Sequence, residues 1–401
     1  MSERAAGGEL VAARHLAGDG ARELLTVAAR AAGATLTHDR LRSIHHRAGR
    51  SVSQVHEATL EVAGEPTDVL LVAHVDVREY PADAFLLDCE GDRVAVWRFP
   101  HDPYVRGLPS AVDPRRVREL LDHLRAPAGT VSLHTRAYRP SRRAVVEVRI
   151  DGPAAAGRIL YLKVLSGDRA TELAAIHRAL GPHVPVPAVL GVAERQGIVA
   201  LEALGGATLR QALVAGGPVP DPAELVDVTR RLAASGLRSR RDPRRFADVR
   251  RHVDGLCALV PDLADEIDRI ATAAVAIDAP VVPVHGDLHD SQLLLGADGC
   301  LTGLLDVDGA GDGLLVQDAG SLIAHVAAVG EVWPSARDRA EVYAGAIADA
   351  FTPLVGADAL RRAVAGAWLA LATGPHRAQD DGFEEHTRRR IARAAEELRA
   401  R

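Results

Sequence analysis

The sequence predicts an α+β chain of more than one domain, and three observations carry that expectation. Short apolar runs bounded by Gly, Pro and Asp fill residues 35–99 and recur from Val131 to Leu165, which is the pattern of strands. From Pro220 onward the periodicity is helical, with one interruption at residues 281–318. At 401 residues, 47% of them hydrophobic, the chain exceeds one ordinary domain and can fill two or three cores.

The interruption reads VVPVHGDLHDSQLLLGADGCLTGLLDVDGAGDGLLVQD. Val281 to Val284 feeds His285-Gly286-Asp287, and Leu301 to Leu305 feeds Asp306-Val307-Asp308, so each run reads as a short buried strand that stops at a carboxylate. Ala297-Asp298-Gly299 supplies turn chemistry between them, and the two strands are expected to lie side by side as a hairpin. Asp287, Gln292 and Asp306 would then converge at one end. Two carboxylates and an amide oxygen are hard donors suited to Mg²⁺, which leaves coordination positions for phosphate oxygens. The reaction class expected from such a set is phosphoryl transfer.

This stretch resembles the catalytic segment of the aminoglycoside phosphotransferase family, small-molecule kinases that share the protein-kinase fold. The family pattern is His-Gly-Asp followed by an Asn and, after a hairpin, a strand-ending Asp; here the sequence reads HGDLHDSQ and LLDVD. The resemblance is nearest to actinobacterial maltokinase-like and glucosamine-kinase-like enzymes, some of which are similar in carrying Gln at the Asn position. It implies that Asp287 is the base for the acceptor hydroxyl, Gln292 the amide metal ligand and Asp306 the principal metal ligand. It further implies a bilobal protein-kinase-like fold with an additional sheet-rich N-terminal cap domain. The implied cofactors are ATP and Mg, and the implied acceptor is a hydroxyl of a sugar, amino sugar or aminoglycoside. A catalytically silent nucleotide-binding regulator is the alternative. A protein kinase is disfavoured, because HGD replaces His-Arg-Asp and no Ala-Pro-Glu follows.

Taken in order, residues 1–126 form the expected cap domain. Helical stretches before Gly33 lead into strands at Thr35 to Arg47, Ser51 to Val62, Val69 to Val77, Ala84 to Cys89 and Arg93 to Phe99, and a helix runs from Asp113-Pro114 to about Leu124. Residues 127–204 form the expected N-lobe. Its strands are Val131 to Tyr138, Ala144 to Ile150 and Arg158 to Leu165, and its helix is Asp168 to Leu180. Lys163 is the only lysine in a chain that also lacks asparagine, and it lies in the third strand. A compact ammonium kept where every other basic position is arginine marks a point-charge site, and the resemblance implies that phosphate is what it grips. By the resemblance Glu172 in the next helix is its salt-bridge partner, and the turn Arg139 to Arg143, with Ser141, stands where a Gly-rich loop would cover phosphates. Glu202 to Leu204 is the hinge candidate for adenine.

Residues 205–401 are the expected helical C-lobe. The arginines Arg238, Arg240, Arg241, Arg244, Arg245, Arg250 and Arg251 alternate with Asp242 and Asp248 and read as a solvated face. Asp318 is expected to cap a helix and brace the catalytic loop, and His285 to hold that loop through backbone hydrogen bonds. Asp380, Asp381, Glu384 and Glu385 would favour an amine-bearing acceptor.

Composition excludes several classes. A net charge of −6 argues against a nucleic-acid partner. Cys89, Cys257 and Cys300 lie far apart with no CxxC, so neither zinc nor a disulfide framework is expected and a cytoplasmic setting is. MSERAAGGEL lacks the order of a signal peptide, Ala363 to Gly374 is too short to span a bilayer, and no GxSxG is present.

Overall fold

The computed structural model describes residues 14–16, 19–47, 50–124, 129–153, 157–167, 169–238, 249–378 and 382–399. Contacts divide the chain into two compact units. One holds the described residues up to Glu172, Leu190–Leu201 and a short stretch from His376; the other holds Leu173–Val189, Glu202–Pro375 and the described residues from Gly382.

The first unit contains two antiparallel sheets. Strands β1 (Thr35–Arg47), β2 (Ser51–Val62), β3 (Glu65–Asp76), β4 (Phe85–Cys89) and β5 (Asp92–Arg98) form a sheet in the order β1-β2-β3-β5-β4. Period-two alternation gives this sheet two different faces. Helix α1 (Gly20–Ala31) buries Ala21, Leu25 and Ala29 in one core with Ala58, Leu60, Leu71, Ala73 and Val75. Val55, Val72, Ala95 and Trp97 form a separate cluster, into which Tyr80, Tyr104 and Tyr138 pack. Polar residues join that side: Ser53 and His74 are register partners, with Oγ and Nδ1 2.7 Å apart.

The second sheet runs β6 (Thr130–Arg139), β7 (Arg143–Asp151), β8 (Arg158–Leu165), β10 (Ile198–Glu202), β9 (Val189–Ala193). The strand β9 was not expected from the sequence. Its run VLGVA is short, and Pro185 and Pro187 just before it read as loop.

Between the sheets lie α2 (Leu108–Ala111) and α3 (Pro114–His123). Asp113 accepts hydrogen bonds from the Arg115 and Arg116 amides, and Pro114 takes the first helical position, where its missing N–H costs nothing. Val105, Leu108, Ala111, Val117 and Leu121 share one core with Val146, Val148, Ile150, Leu160, Leu162 and Val164. At Gly107 the backbone comes so close that an added Cβ would lie 1.9 Å from the Gln196 carbonyl oxygen. Residues on either side of 126/127 therefore share a core; residue 126 itself lies outside the described residues.

In the second unit α4 (Arg169–Leu180), which begins in the first, is followed by β11 (Ala207–Thr208) and α5 (Leu209–Ala215), closed by a capping box between Thr208 and Gln211. Helices α6 (Pro222–Ala233), α7 (Val253–Leu259) and α8 (Ala264–Val275) follow, and the long helices α9 (Leu315–Val332), α10 (Arg337–Val355) and α11 (Ala357–Leu371) add a large share of the core, including the fully buried Phe351 and the buried Trp368. No helix among the described residues is long and apolar enough to cross a membrane.

The expected hairpin of residues 281–305 is corrected. Strand β12 (Val281–Val284) pairs with β15 (Gly311–Leu314), and β14 (Leu301–Leu304) pairs with β13 (Leu293–Leu295). The turn between Gly296 and Cys300 closes the short β13–β14 loop; the expected pairing would have had to close a loop about three times longer, at greater entropic cost. Two small sheets thus take the place of one hairpin.

The shared core predicts the behaviour of Leu121→Ala. Leu121 is fully buried, so its truncation should cost about 2–5 kcal/mol and shift the same unfolding transition that Leu162→Ala shifts. Differential scanning calorimetry checks this; a separate early transition in Leu121→Ala alone would contradict a shared core.

Candidate active site

The centre of the second unit is the segment 285–318, and its positions follow from a few backbone hydrogen bonds. Asp318, in the first turn of α9, is 4% exposed. Its Oδ2 accepts from the His285 amide at 2.6 Å and its Oδ1 from the Gly286 amide at 2.9 Å. The brace expected of this residue is present, whereas the N-cap position belongs to Leu314. Burial pushes the Asp318 carboxyl above the ordinary range, opposed by neighbouring His285 and by the two amide donors.

Gly286 adopts φ +81°, a conformation that costs other residues strain, and the exposed Asp287 follows it directly. The His285 side chain leaves the loop: its Nε2 donates to the Leu305 carbonyl at 2.8 Å. The Leu305 amide donates to the Gln292 carbonyl at 2.8 Å. The two polar groups of Leu305 are thus held by His285 and by the Gln292 backbone, which fixes the start of Asp306 relative to both.

Asp306 has φ +55° and ψ +43°. Of the four non-glycine residues with positive φ among those described, Ala63, Glu90 and Ser141 sit in hairpin turns, which require such conformations. Asp306 does not; it caps a 3₁₀ turn at Val307–Gly309. A non-glycine residue held there costs about 1–3 kcal/mol, and such strain concentrates at functional sites.

Gln292 is 4% exposed and closes the 3₁₀ turn Asp290–Gln292. Its Oε1 accepts from the His289 amide at 3.3 Å. One lone pair of that oxygen thereby faces backbone, and the second leaves it able to ligate a hard cation.

His289, Asp290 and His325 form the one group of three or more His, Cys, Asp or Glu ligand atoms within 4.8 Å of one another among the described residues. The group is better read as a clasp than as a metal site. Arg210 on α5 grips Asp290 with two bonds, Nε to Oδ2 at 2.7 Å and Nη2 to Oδ1 at 3.0 Å, so the carboxylate is already neutralised. The imidazoles of His289 and His325 stack at 4.7 Å, and the Arg210 guanidinium lies 5.9 Å over the Trp333 ring. Burial and the nearby His289 push His325 down to about 3, which keeps it neutral. Burial works against the Asp290 charge, but His289 and Arg210 hold its pKa down to about 2. The clasp was not found from sequence, since Arg210 and Asp290 are 80 residues apart.

In the first unit Lys163 is 8% exposed and sits opposite Val145 in the β7–β8 ladder. Glu172 is exposed in the first turn of α4. Ser141 has φ +58°, and its amide donates to Asp102 Oδ2 at 2.8 Å. In the second unit, Glu202 ends β10 with its amide on the Ala188 carbonyl at 2.9 Å, and Leu204 lies in the loop that follows.

Other residues singled out from sequence are placed as follows. Glu384 and Glu385 are exposed at the start of the last helix, with Glu385 on Arg389 at 3.1 Å. Arg238 faces Asp312 at 3.7 Å. Asp380, Asp381, Arg240, Arg241, Asp242, Arg244, Arg245, Asp248 and Asp168 lie outside the described residues.

Wild-type stability should fall on acidification because of the clasp. The Asp290 pKa is lowered from 3.8 to about 2, so its contribution, on the order of 2 kcal/mol, is complete above the unfolded value and lost as pH drops toward 2. Denaturant unfolding at pH 5 and pH 3 should show a smaller loss in Asp290→Asn than in wild type; identical slopes would contradict the assignment.

Residues 163–354 match the sequence model of the phosphotransferase enzyme family. No curated protein matches the chain. Solved structures with similar coordinates include an aminoglycoside phosphotransferase in ternary complex with ADP and hygromycin B, at 15% identity, covering 71% of this chain and 99% of that one with a TM-score of 0.47. A macrolide 2'-phosphotransferase from Brachybacterium faecium is 18% identical, with 69% and 98% covered and a TM-score of 0.40. Choline kinase from Cryptosporidium parvum is 10% identical, with 67% and 89% covered and a TM-score of 0.45. The segment 163–354, which holds Lys163, the His285-Gly286-Asp287 run and Asp306, thus resembles the phosphotransferase enzyme family.

Proposed function

We propose that the protein is an ATP- and Mg-dependent kinase that transfers a phosphoryl group to a hydroxyl of a sugar, amino sugar or aminoglycoside. The observation that carries the reading is the braced His285-Gly286-Asp287 segment, bonded through Leu305 to the strained Asp306, inside the family segment. The donor set suits the metal: the Asp306 carboxylate and the Gln292 amide oxygen are hard ligands.

Bound Mg·ATP supplies the phosphoryl group and neutralises its developing charge. In this reading Asp306 and Gln292 hold the metal, and Asp287 accepts the hydrogen bond of the acceptor hydroxyl and orients it. Lys163 binds phosphate oxygens as a compact ammonium, with Glu172 as its partner, and the Ser141 hydroxyl adds a further contact. The backbone from Glu202 to Leu204 receives adenine. Positioning and electrostatics then do most of the catalysis.

Two predictions test these roles. Lys163→Arg should impair ATP use by tenfold or more although charge is kept, because a planar guanidinium does not replace a point charge. Steady-state kinetics in ATP decide it, and unchanged KM and kcat would remove Lys163 from the site.

Asp306→Asn should weaken Mg·ATP binding together with rate, with partial recovery at raised Mg²⁺. Asp287→Asn should leave Mg·ATP binding nearly intact and lower kcat by at least a hundredfold. Calorimetry with Mg·ATP beside turnover on a panel of sugars, amino sugars and aminoglycosides separates the two. Nucleotide binding without turnover on any of these by the wild-type chain would favour the regulator reading.

A further inference from the structure

The turn from Arg139 to Arg143 occupies the β6–β7 connection, two ladder positions from Lys163, about 7 Å along the strand. It contains no glycine, and its backbone is spent internally. The Arg142 amide donates to the Arg139 carbonyl at 3.1 Å, and the Ser166 amide, one residue beyond β8, donates to the Arg142 carbonyl at 3.0 Å. The Ser141 amide turns away from the hairpin to Asp102. A Gly-rich loop grips phosphate with bare backbone amides; the amides of Ser141 and Arg142 are already committed.

Asp102 is 2% exposed and receives four donors. Its Oδ1 takes the Tyr104 amide at 2.8 Å and the Val105 amide at 3.2 Å. Its Oδ2 takes the Ser141 amide at 2.8 Å and the Tyr138 hydroxyl at 2.8 Å. The Tyr138 oxygen in turn accepts from Trp97 Nε1, on β5 of the N-terminal sheet, at 2.8 Å. Phe99 packs edge-on against the Tyr138 ring at 5.1 Å. An unbroken hydrogen-bonded path therefore runs from the N-terminal sheet through Tyr138 and Asp102 to Ser141, the positive-φ residue of the turn.

We propose that Asp102, held by Tyr138 and Trp97, is a positioning residue for the nucleotide, fixing the turn at Ser141 so that its side chains rather than its backbone meet the phosphates. The N-terminal sheet thereby takes over the shaping task that glycines perform in a Gly-rich loop. The inference rests on the kinase reading above, and the experiment separates the two.

The test is calorimetric titration of the full chain with Mg·ATP and with adenosine. Breaking the path should weaken Mg·ATP by about five- to tenfold in Tyr138→Phe and in Asp102→Asn, leaving adenosine within twofold. Thermal melting verifies folding, and Tyr138→Phe, which keeps the ring, serves should Asp102→Asn not fold. A folded Tyr138→Phe with wild-type affinity for both ligands overturns the inference. Equal weakening of both ligands also overturns it, since that is the mark of a purely structural role. Lys163→Ala serves as the control: if it loses Mg·ATP affinity while Tyr138→Phe does not, the kinase reading stands and the positioning role alone falls. A wild-type chain that binds neither ligand overturns both.

Discussion

Two amide hydrogens pointing into one buried carboxylate hold the centre of the second unit together. The His285 and Gly286 amides have no strand partner where the chain leaves β12, and each left unmet would cost about 1–3 kcal/mol. Asp318 meets both, at 2.6 and 2.9 Å, from a helix packed into the core. The loop is thereby rigid at the point where Gly286 turns and Asp287 emerges. Leu305 continues the same logic, since its carbonyl is bonded to the His285 ring and its amide to the Gln292 carbonyl. Preorganisation of this kind matters in phosphoryl transfer, where there is little covalent chemistry for a protein to perform.

Around that centre the polar groups fall into separate, locally satisfied networks. The Arg210–Asp290 clasp ties α5 to the loop that ends at Gln292, and its cost of burial is offset by bidentate geometry and a stacked imidazole pair. In the first unit, Asp102 gathers four donors between two sheets. Each network joins residues far apart in sequence, and each has a carboxylate at its middle because a carboxylate accepts several bonds at once.

Local signals made much of the fold legible. The strands of the N-terminal sheet, β6 to β8 and α3 all lie within a few residues of where alternation, Gly and Pro placed them. Strand pairing was not legible in the same way. Val281–Val284 and Leu301–Leu304 have the composition of partners, yet each pairs elsewhere: Leu301–Leu304 takes Leu293–Leu295, which closes the shorter loop, and Val281–Val284 takes Gly311–Leu314. Strand β9 was missed because it is a five-residue edge strand, half-buried throughout, with no run of buried apolar positions to mark it.

The sequence by itself determined the residue types of the candidate site. One lysine among many arginines, an HGD segment and a strand ending in Asp306 are chemical choices written directly in the chain. Only the tertiary structure decided how those residues are held. Nothing local singles out Asp102 or Arg210 until folding brings the first to Ser141, 39 residues away, and the second to Asp290, 80 residues away. The physical reason is that hydrogen bonds between distant segments depend on which faces pack together. That is a property of the whole core, which no local window of sequence contains.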